Sequence, residues 1–231
     1  MIVDVVIPAW NEEESIGLVI REIPKELVRH IVVVDNNSRD KTSENATNAG
    51  AMVLKETEQG YGAACLKGID WINQQDPRCD VLVFMDADHS DYPEEISHLL
   101  APIRNNESDM VIGSRSLGIK EKGSMTPQQV FGNWIATWMI RVIYGFKFTD
   151  LGPFRAIRLE SLNNLGMRDR NYGWTVEMQV KALKKGLRCA EVAVGYRKRI
   201  GVSKVSGTIK GTIGAGYKII TTILKYSFSK S

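Results

Sequence analysis

An apolar run that ends in two carboxylates, Val81–Asp88, constrains the fold more than any other stretch of this chain. Its first five residues are apolar and rich in valine, which predicts a buried strand of a parallel sheet. In open sheets built from alternating strands and helices, ligands bind at the carboxyl ends of the strands. The run therefore places Asp86 and Asp88 where a ligand is expected.

The two carboxylates lie two residues apart, so on an extended chain their side chains point to the same side and repel each other. A divalent cation relieves this repulsion, and Mg²⁺ is commonly held by one or two carboxylates together with substrate phosphates. One hypothesis is therefore a metal–diphosphate site. The other is a solvated turn in which Asp88 or Asp91 caps the next helix.

Strand and helix patterns alternate five times over residues 2–115, which predicts a parallel sheet covered on both faces. The first helix is predicted to begin after Asn11, which would cap it, and to end near Leu27. Polar residues follow three of the predicted strands, and we expect them along one edge of the sheet. They are Asp35, Asp86, Asp88 and Arg115.

Beyond residue 115 the pattern is less regular. A polar loop leads to a helix predicted over residues 128–144, in which Trp134 and Trp138 lie one turn apart; they either belong to the core or face lipid. A basic loop, Arg197–Lys204, is either a solvated turn or a clamp for a diphosphate. The last predicted helix, 208–226, either packs on the domain or lies on a membrane surface.

Composition excludes several classes of protein. A net charge of +3 over 231 residues is too small to indicate nucleic acid binding. Three scattered cysteines lack metal-site spacing and are predicted to be reduced thiols of a cytosolic protein. No signal peptide is predicted, and no apolar run approaches the ~20 residues that span a bilayer.

Seven motifs occur in a characteristic order: Val6–Glu12, Val33–Thr42, Gly60–Ala64, Met85–Asp88 followed by Pro93-Glu94, Gly113–Arg115, Thr149–Arg155, and the loop from Arg199 to Lys204. This order resembles the family 2 inverting glycosyltransferases of GT-A fold. Within that family, the later motifs resemble the polyprenol-phosphate sugar synthases. The resemblance implies an α/β, Rossmann-like, mostly parallel sheet flanked by helices.

The resemblance also implies residue roles. Donor-binding residues would be Pro8, Trp10, Glu12, Val33, Asp35, Gly62, Asp86, Ala87 and Asp88. Asp86 and Asp88 would hold Mg²⁺ or Mn²⁺, with Ser90, Asp91 or water as a third ligand. Catalytic residues would be Asp88, Arg115, Asp150, Arg199 and Lys204.

The motifs depart from the family pattern at several positions. Trp10 stands where tyrosine is usual, and Asn36-Asn37 replaces an Asp-Gly pair. Ser90 stands where some members carry a metal-binding glutamine. The segment Gly152–Phe154 differs from the usual Ser-Gly-Phe, which indicates a subfamily whose sugar or acceptor differs from mannose or dolichol.

The function predicted from this resemblance is metal-dependent transfer of a hexose, from GDP-mannose or UDP-glucose, to a polyprenyl phosphate. Such an acceptor is already an anion and needs no strong general base. An alternative is a hydroxyl acceptor, for which Asp150 or Glu177 would be the base; Glu177 is equally explained as a helix N-terminal residue. A third hypothesis is a catalytically silent nucleotide-sugar binding module. A dinucleotide-dependent oxidoreductase is disfavoured, because no G-x-G-x-x-G follows the first strand.

The predicted organisation is a catalytic domain over residues 1–206, with a nucleotide-sugar half (1–115) and an acceptor half (116–206). Residues 207–231 would form an amphipathic helix that contacts a membrane. The protein is expected in the cytoplasm, peripherally on the inner face of the cytoplasmic membrane.

Overall fold

Seven strands form one sheet in a computed structural model, which describes residues 1–202 and 209–228. The strands are β1 (Val3–Ala9), β2 (His30–Asp35), β3 (Met52–Lys55), β4 (Val81–Phe84), β5 (Met110–Ser114), β6 (Arg155–Arg158) and β7 (Cys189–Ala193). Their spatial order is β3-β2-β1-β4-β6-β5-β7. The predicted α/β class is confirmed.

The pairing directions decide which strand ends meet. β3, β2, β1 and β4 pair in parallel, and so do β5 and β7. β6 runs antiparallel to both of its neighbours, β4 and β5. Because β4 and β5 are both antiparallel to β6, they point the same way as β1 and β2. The polar residues at the carboxyl ends of β2, β4 and β5 therefore share one edge of the sheet, as predicted.

Eight helices are described. They are α1 (Ile16–Glu22), α2 (Thr42–Asn48), α3 (Tyr61–Ile72), α4 (Ile96–Arg104), α5 (Pro127–Tyr144), α6 (Leu159–Leu165), α7 (Trp174–Lys184) and α8 (Ile209–Phe228). One turn of 3-10 helix, Pro93–Glu95, precedes α4.

Each face of the sheet has its own apolar core. One core joins the sheet to α3, α5, α6, α7 and α8, with Phe84 and Trp174 in edge-to-face contact at a centroid distance of 6.0 Å. The other joins it to α1, α2 and α4. Alternate residues of the buried strands supply the two cores, since successive side chains of a strand point to opposite faces. Burial on both faces explains why β4 reads as a continuous apolar run.

The first helix is shorter than predicted. Asn11 has a left-handed backbone, with φ of 53°, and its side-chain oxygen accepts a hydrogen bond from the backbone of Arg39 at 2.8 Å. It therefore joins two loops instead of capping a helix. α1 begins only at Ile16 and ends at Glu22, because Ile23 is extended before Pro24.

Strand β6 and helix α6 were not predicted. β6 consists of only four residues and has an arginine at each end, which hides the usual apolar signature. Arg155 is nevertheless fully buried, and its guanidinium donates hydrogen bonds to the carbonyl oxygens of Leu151, Gly152 and Thr175. Burying a guanidinium costs much free energy when its N–H groups have no partner. Hydrogen bonds to backbone carbonyls offset that cost.

Of the two alternatives for Trp134 and Trp138, burial in the core is wrong, because their side chains are 60% and 55% exposed. α8 packs on the domain through Ile223, which is fully buried, while Ile213 and Tyr217 on the same helix are exposed. The hydroxyl of Tyr144 on α5 donates to the carbonyl of Ile223 at 2.7 Å. Among the described residues, no helix combines the length and apolar character needed to cross a membrane.

The proposed acceptor half contributes β6 to the middle of the sheet, between β4 and β5 of the other half. The two halves therefore share one sheet. The boundary between residues 206 and 207 lies outside the described residues, so the division into 1–206 and 207–231 stays a prediction.

Candidate active site

A cavity of about 330 Å³ opens at the carboxyl ends of β1, β2 and β4. Seven residues predicted from the sequence line it: Pro8, Trp10, Glu12, Asp86, Ala87, Asp88 and Arg199. Six of them lie at the carboxyl ends of β1 and β4, which are parallel neighbours in the sheet, and Arg199 reaches the cavity from the loop after β7. The cavity is where the strand pattern predicted a ligand.

Three predicted donor residues lie outside the cavity lining. Val33 is fully buried in the core, in register with Ile7 of β1. The carboxylate of Asp35 accepts hydrogen bonds from the backbone of Ser38 at 2.9 Å and from the hydroxyl of Ser43 at 2.5 Å, which hold the turn after β2. The structure thus gives Val33 and Asp35 packing and turn-forming contacts.

Gly62, the third of these residues, is a point of close backbone approach. A Cβ at Gly62 would lie 2.0 Å from the carbonyl oxygen of Asp169. The next residue, Ala63, donates its backbone N–H to the carbonyl of Arg170 at 2.9 Å. Glycine at this position lets the loop after α6 dock on the start of α3.

Sequence reasoning did not predict the other eight residues of the cavity lining. They are Ala9, Asn36, Gln59, Gly60, Tyr61, Ala64, and the pair Asn171-Tyr172 in the docked loop. Asn36 donates to the carbonyls of Glu56 and Glu58, and its side-chain oxygen accepts from Gly60. These bonds hold the loop before α3 against β2. The motif Gly60–Ala64 was noticed in the sequence, whereas nothing local marked residues 171 and 172.

An acidic cluster forms the floor of the cavity. Asp88 and Asp91 are buried and Asp86 is partly buried. Burial, together with the charge of Asp88, raises the pKa of Asp86 to about 7. Burial and the charges of Asp86 and Asp88 also raise the pKa of Asp91 well above its usual value. The cluster therefore holds more negative charge than its surroundings neutralise.

The oxygen atoms of this cluster fit a divalent cation whose coordination shell is completed by the substrate. Asp91 Oδ1 is buried and has no hydrogen-bond partner in the described part of the chain. Ser90 donates its hydroxyl to Asp88 Oδ1 at 2.5 Å. Within residues 1–202 and 209–228, no three side chains of His, Cys, Asp or Glu are arranged to enclose a metal. Two carboxylates and an incomplete shell are typical of Mg²⁺ sites that substrate phosphates complete.

Arg199 closes the cavity from the basic loop. Its Nη1 lies 3.0 Å from Asp88 Oδ2, and its Nη2 lies 3.0 Å from Glu12 Oε1. Its Nε is buried and unpartnered among the described atoms. The structure thus places Arg199 beside the acidic cluster, as a phosphate-clamping role requires. Lys204, its predicted companion, lies outside the described residues.

Arg115 and Asp150 form a buried ion pair beside the cluster. Arg115 donates through Nη2 to Asp150 Oδ1 at 2.6 Å, and through Nε and its backbone N–H to Oδ2 at 2.8 Å each. Its guanidinium also lies 5.0 Å from the ring centre of Tyr196. Burial alone would raise the pKa of Asp150, but the charge and hydrogen bonds of Arg115 lower it below the usual value.

Glu177, the other candidate base, belongs to a structural junction. Its carboxylate accepts from the backbone of Arg168 and Asp169, pairs with Lys181 at 2.7 Å, and accepts from the hydroxyl of Tyr226 at 2.6 Å. These contacts join α7 to α8 and to the loop before α7. Glu177 is fully buried and does not line the cavity at the ends of β1 and β4.

Comparison with known proteins agrees with this geometry. Residues 4–166 match the model of the family described as glycosyl transferase family 2. An uncharacterized glycosyltransferase of Mycobacterium tuberculosis is 35% identical over 213 residues, which cover 91% of this chain and 93% of that protein. The undecaprenyl-phosphate mannosyltransferase of Micrococcus luteus is 30% identical over 218 residues, with coverage of 89% and 88%. The polyprenol monophosphomannose synthase of Mycolicibacterium smegmatis is 30% identical over 217 residues, with coverage of 88% and 81%.

Solved structures show the same fold. Glucosyl-3-phosphoglycerate synthase from Mycobacterium tuberculosis, in complex with Mn²⁺, UDP and phosphoglyceric acid, superposes with a TM-score of 0.78 at 20% identity. That alignment covers 100% of this chain and 80% of the synthase. The match over most of the chain, with the acidic cluster at the carboxyl ends of a GT-A sheet, leads to one conclusion: this chain belongs to the family 2 glycosyltransferases.

Proposed function

We propose that this chain transfers a hexose from a nucleotide sugar to a polyprenyl phosphate, with inversion at the anomeric carbon and with Mg²⁺ or Mn²⁺ as cofactor. Two relatives at 30% identity are named for a polyprenyl-phosphate or polyprenol acceptor. The structural neighbours were solved with UDP and with Mn²⁺ or Mg²⁺. GDP-mannose and UDP-glucose are the two donors to test first.

The observation that carries this proposal is the state of Asp150. A hydroxyl acceptor needs a carboxylate free to take its proton, with a pKa near the working pH. Asp150 is instead fully buried, held by three hydrogen bonds from Arg115, and its pKa is lowered. Such a carboxylate is a poor base. A phosphate monoester, by contrast, arrives as an anion and attacks without one.

The proposed roles follow from position. Asp86 and Asp88 hold the cation, which when bound neutralises the charge that develops on the leaving diphosphate. Arg199, together with Lys204, adds fixed positive charge on the same oxygens. Arg115 orients the acceptor phosphate, and Asp150 holds Arg115 in place.

Donor recognition is assigned to the first half of the chain. Trp10 lines the cavity and is 38% exposed, so its ring would offer a flat apolar surface to the nucleotide base. Pro8, Glu12 and Ala87 complete the proposed donor contacts. Val33, Asp35 and Gly62 would then act through the shape of the pocket, since they support its walls from behind.

The test is a transfer assay. Purified protein is mixed with Mn²⁺ or Mg²⁺, undecaprenyl phosphate in detergent, and labelled GDP-mannose or UDP-glucose. Label in the organic phase and free nucleoside diphosphate are measured together. We expect label to enter the lipid with one donor only, and to require the metal. Asp88→Asn should abolish transfer, whereas Glu94→Gln, which removes an exposed carboxylate on the next 3-10 turn, should not.

Two other outcomes would contradict the proposal. Release of nucleoside diphosphate with a water-soluble glycosylated product would point to a hydroxyl acceptor. Donor binding without turnover under every condition would point to a silent binding module. Each is distinguished by the same pair of measurements.

A further inference from the structure

Helix α5 carries an apolar stripe on its outer side. Five of its large apolar side chains are at least half exposed: Val130 (50%), Phe131 (61%), Trp134 (60%), Trp138 (55%) and Val142 (64%). At about 100° per residue they fall on one face of the helix. The rings of Phe131 and Trp134 stack with their centroids 6.1 Å apart. A contiguous exposed patch with two tryptophans is unusual on a soluble monomer and marks an interaction surface.

The orientation of α5 is firmly set by its other side. Ala136 and Ile140 are buried in the core. Asn133 donates to the carbonyl of Thr149 at 2.9 Å and accepts from the backbone of Leu151 at 2.9 Å. A capping box formed by Thr126 and Gln129 fixes the start of the helix. The stripe is therefore a stable outer face of the folded protein.

A groove of about 370 Å³ runs beside the stripe. Trp134, Trp138 and Phe148 form apolar walls, and three cations border it: Lys120, Arg141 and Lys147. No carboxylate is among its lining residues, and α5 contains neither Asp nor Glu. The nearby Glu121 accepts from the backbone of Lys198 at 2.9 Å. None of the three cations forms an ion pair within the described residues.

The inner end of this groove reaches the acceptor side of the active site. Ser116 and Thr149 line it and directly flank Arg115 and Asp150 in the chain. The hydroxyl of Thr149 lies 2.7 Å from that of Ser114. The groove thus leads from the aromatic outer surface, past the three cations that border it, to the Arg115–Asp150 ion pair. We assign the acceptor phosphate to that ion pair.

We propose that the α5 stripe docks on a lipid bilayer containing anionic lipids, and that the groove guides the acceptor from the bilayer to Arg115. The guiding role rests on the proposed function; the docking does not. Tryptophan and phenylalanine partition into the bilayer interface, where neighbouring cations meet lipid phosphates. A second copy of this chain fits less well, because it would bring two sets of three cations together.

The experiment is vesicle flotation with the full-length protein, without donor or metal. We expect it to float with vesicles of phosphatidylcholine and phosphatidylglycerol, and much less with phosphatidylcholine alone. Trp134→Ser with Trp138→Ser should weaken binding at least about tenfold. The matched double variant on α8, Ile213→Ser with Tyr217→Ser, should retain more than half of the binding. Thermal midpoint and affinity for nucleoside diphosphate serve as folding controls.

The three cations that border the groove are tested separately. Replacing Lys120, Arg141 and Lys147 by glutamine should weaken binding to the anionic vesicles about a hundredfold, and abolish its dependence on salt. Replacing three exposed lysines elsewhere, Lys25, Lys67 and Lys185, changes the net charge equally and should have little effect. Quenching of tryptophan fluorescence by brominated lipids gives a readout on the unaltered protein.

Several results would overturn the docking proposal. They are failure of the full-length chain to float, loss of binding in the α8 variant instead of the α5 variant, and conversion of a dimer into a monomer by the α5 variant. Transfer to a water-soluble short-chain polyprenyl phosphate reports on the proposed function alone. The docking proposal can therefore fail while the proposed function stands, and the reverse also holds.

Discussion

Arg199 Nη1 lies 3.0 Å from Asp88 Oδ2, and the other end of the same guanidinium lies 3.0 Å from Glu12 Oε1. Arg199, which lies in the loop after β7, thus bridges two carboxylates that line the cavity. The charge of this guanidinium lowers the pKa of Asp86, but burial and the charge of Asp88 outweigh it.

The first prediction concerns Arg199→Gln. In the proposed site the guanidinium and the divalent cation would compete for Asp88, so removing the guanidinium should tighten Mn²⁺ binding to the donor-free protein about tenfold, as isothermal titration calorimetry would measure. The same variant should lower the transfer rate about a hundredfold or more, since fixed positive charge at the diphosphate is lost. Lys198→Gln, next to it and exposed, is the control. Unchanged Mn²⁺ affinity would show that Arg199 and the metal do not compete.

The second prediction concerns Asp150→Ala. Arg115 would be left buried without its partner, and removal of one member of a buried ion pair typically costs about 3–5 kcal/mol in the free energy of unfolding. Urea denaturation measures this value. The control is Glu58→Ala, which breaks an exposed pair with Arg170 and should cost less than about 1 kcal/mol. If both variants lost the same free energy of unfolding, the buried pair would contribute no more to stability than the exposed one.

The third prediction concerns pH. Burial and the charge of Asp88 raise the pKa of Asp86 to about 7, so the folded chain keeps a proton that the unfolded chain releases near pH ~3.9. Between these values the folded state binds more protons, and the free energy of unfolding therefore falls as pH rises. In the presence of EDTA, Asp86→Asn should lose less stability than the unaltered protein between about pH 5 and pH 8. Asp70→Asn, at an exposed site, should follow the unaltered protein. Parallel stability curves for Asp86→Asn and the unaltered protein would refute this account.

The fourth prediction compares two glycine substitutions. In Gly62→Ala, the new methyl group would meet the carbonyl oxygen of Asp169 at 2.0 Å, so the docked loop must move. We expect a lower thermal midpoint and weaker binding of nucleoside diphosphate, because residues 171 and 172 line the donor cavity. In Gly132→Ala, the new methyl group would meet no atom within 4 Å, so this variant should stabilise α5 by up to about 1 kcal/mol. Equal behaviour of the two variants would rule out the close approach at Gly62.

Asp86 and Asp88 could be placed correctly because their position follows from local pattern. A strand buried on both faces reads as an apolar run, and its carboxyl end is a ligand edge in a parallel sheet. Asn171 and Tyr172 could not be found in this way. They reach the cavity only because their loop docks on Gly62, more than a hundred residues earlier in the chain.

The contact between Arg115 and Asp150 could not be predicted from local sequence patterns either. Both were singled out as catalytic candidates, but the sequence did not indicate that they pair. They meet because β6 enters the sheet antiparallel between β4 and β5, which brings the segment before β6 beside the end of β5. That pairing changes the reading of Asp150 from a candidate base to a partner that holds Arg115.

The sequence by itself determined the class of fold, the edge of the sheet where ligands bind and the family, because each depends on short-range pattern and motif order. Only the tertiary structure decided which side of α5 faces outward. Periodicity defines a stripe on a helix, but burial of the opposite face depends on partners such as Ile140 finding the core. Trp134 and Trp138 are exposed for that reason, since the helix can bury only one of its faces against the sheet.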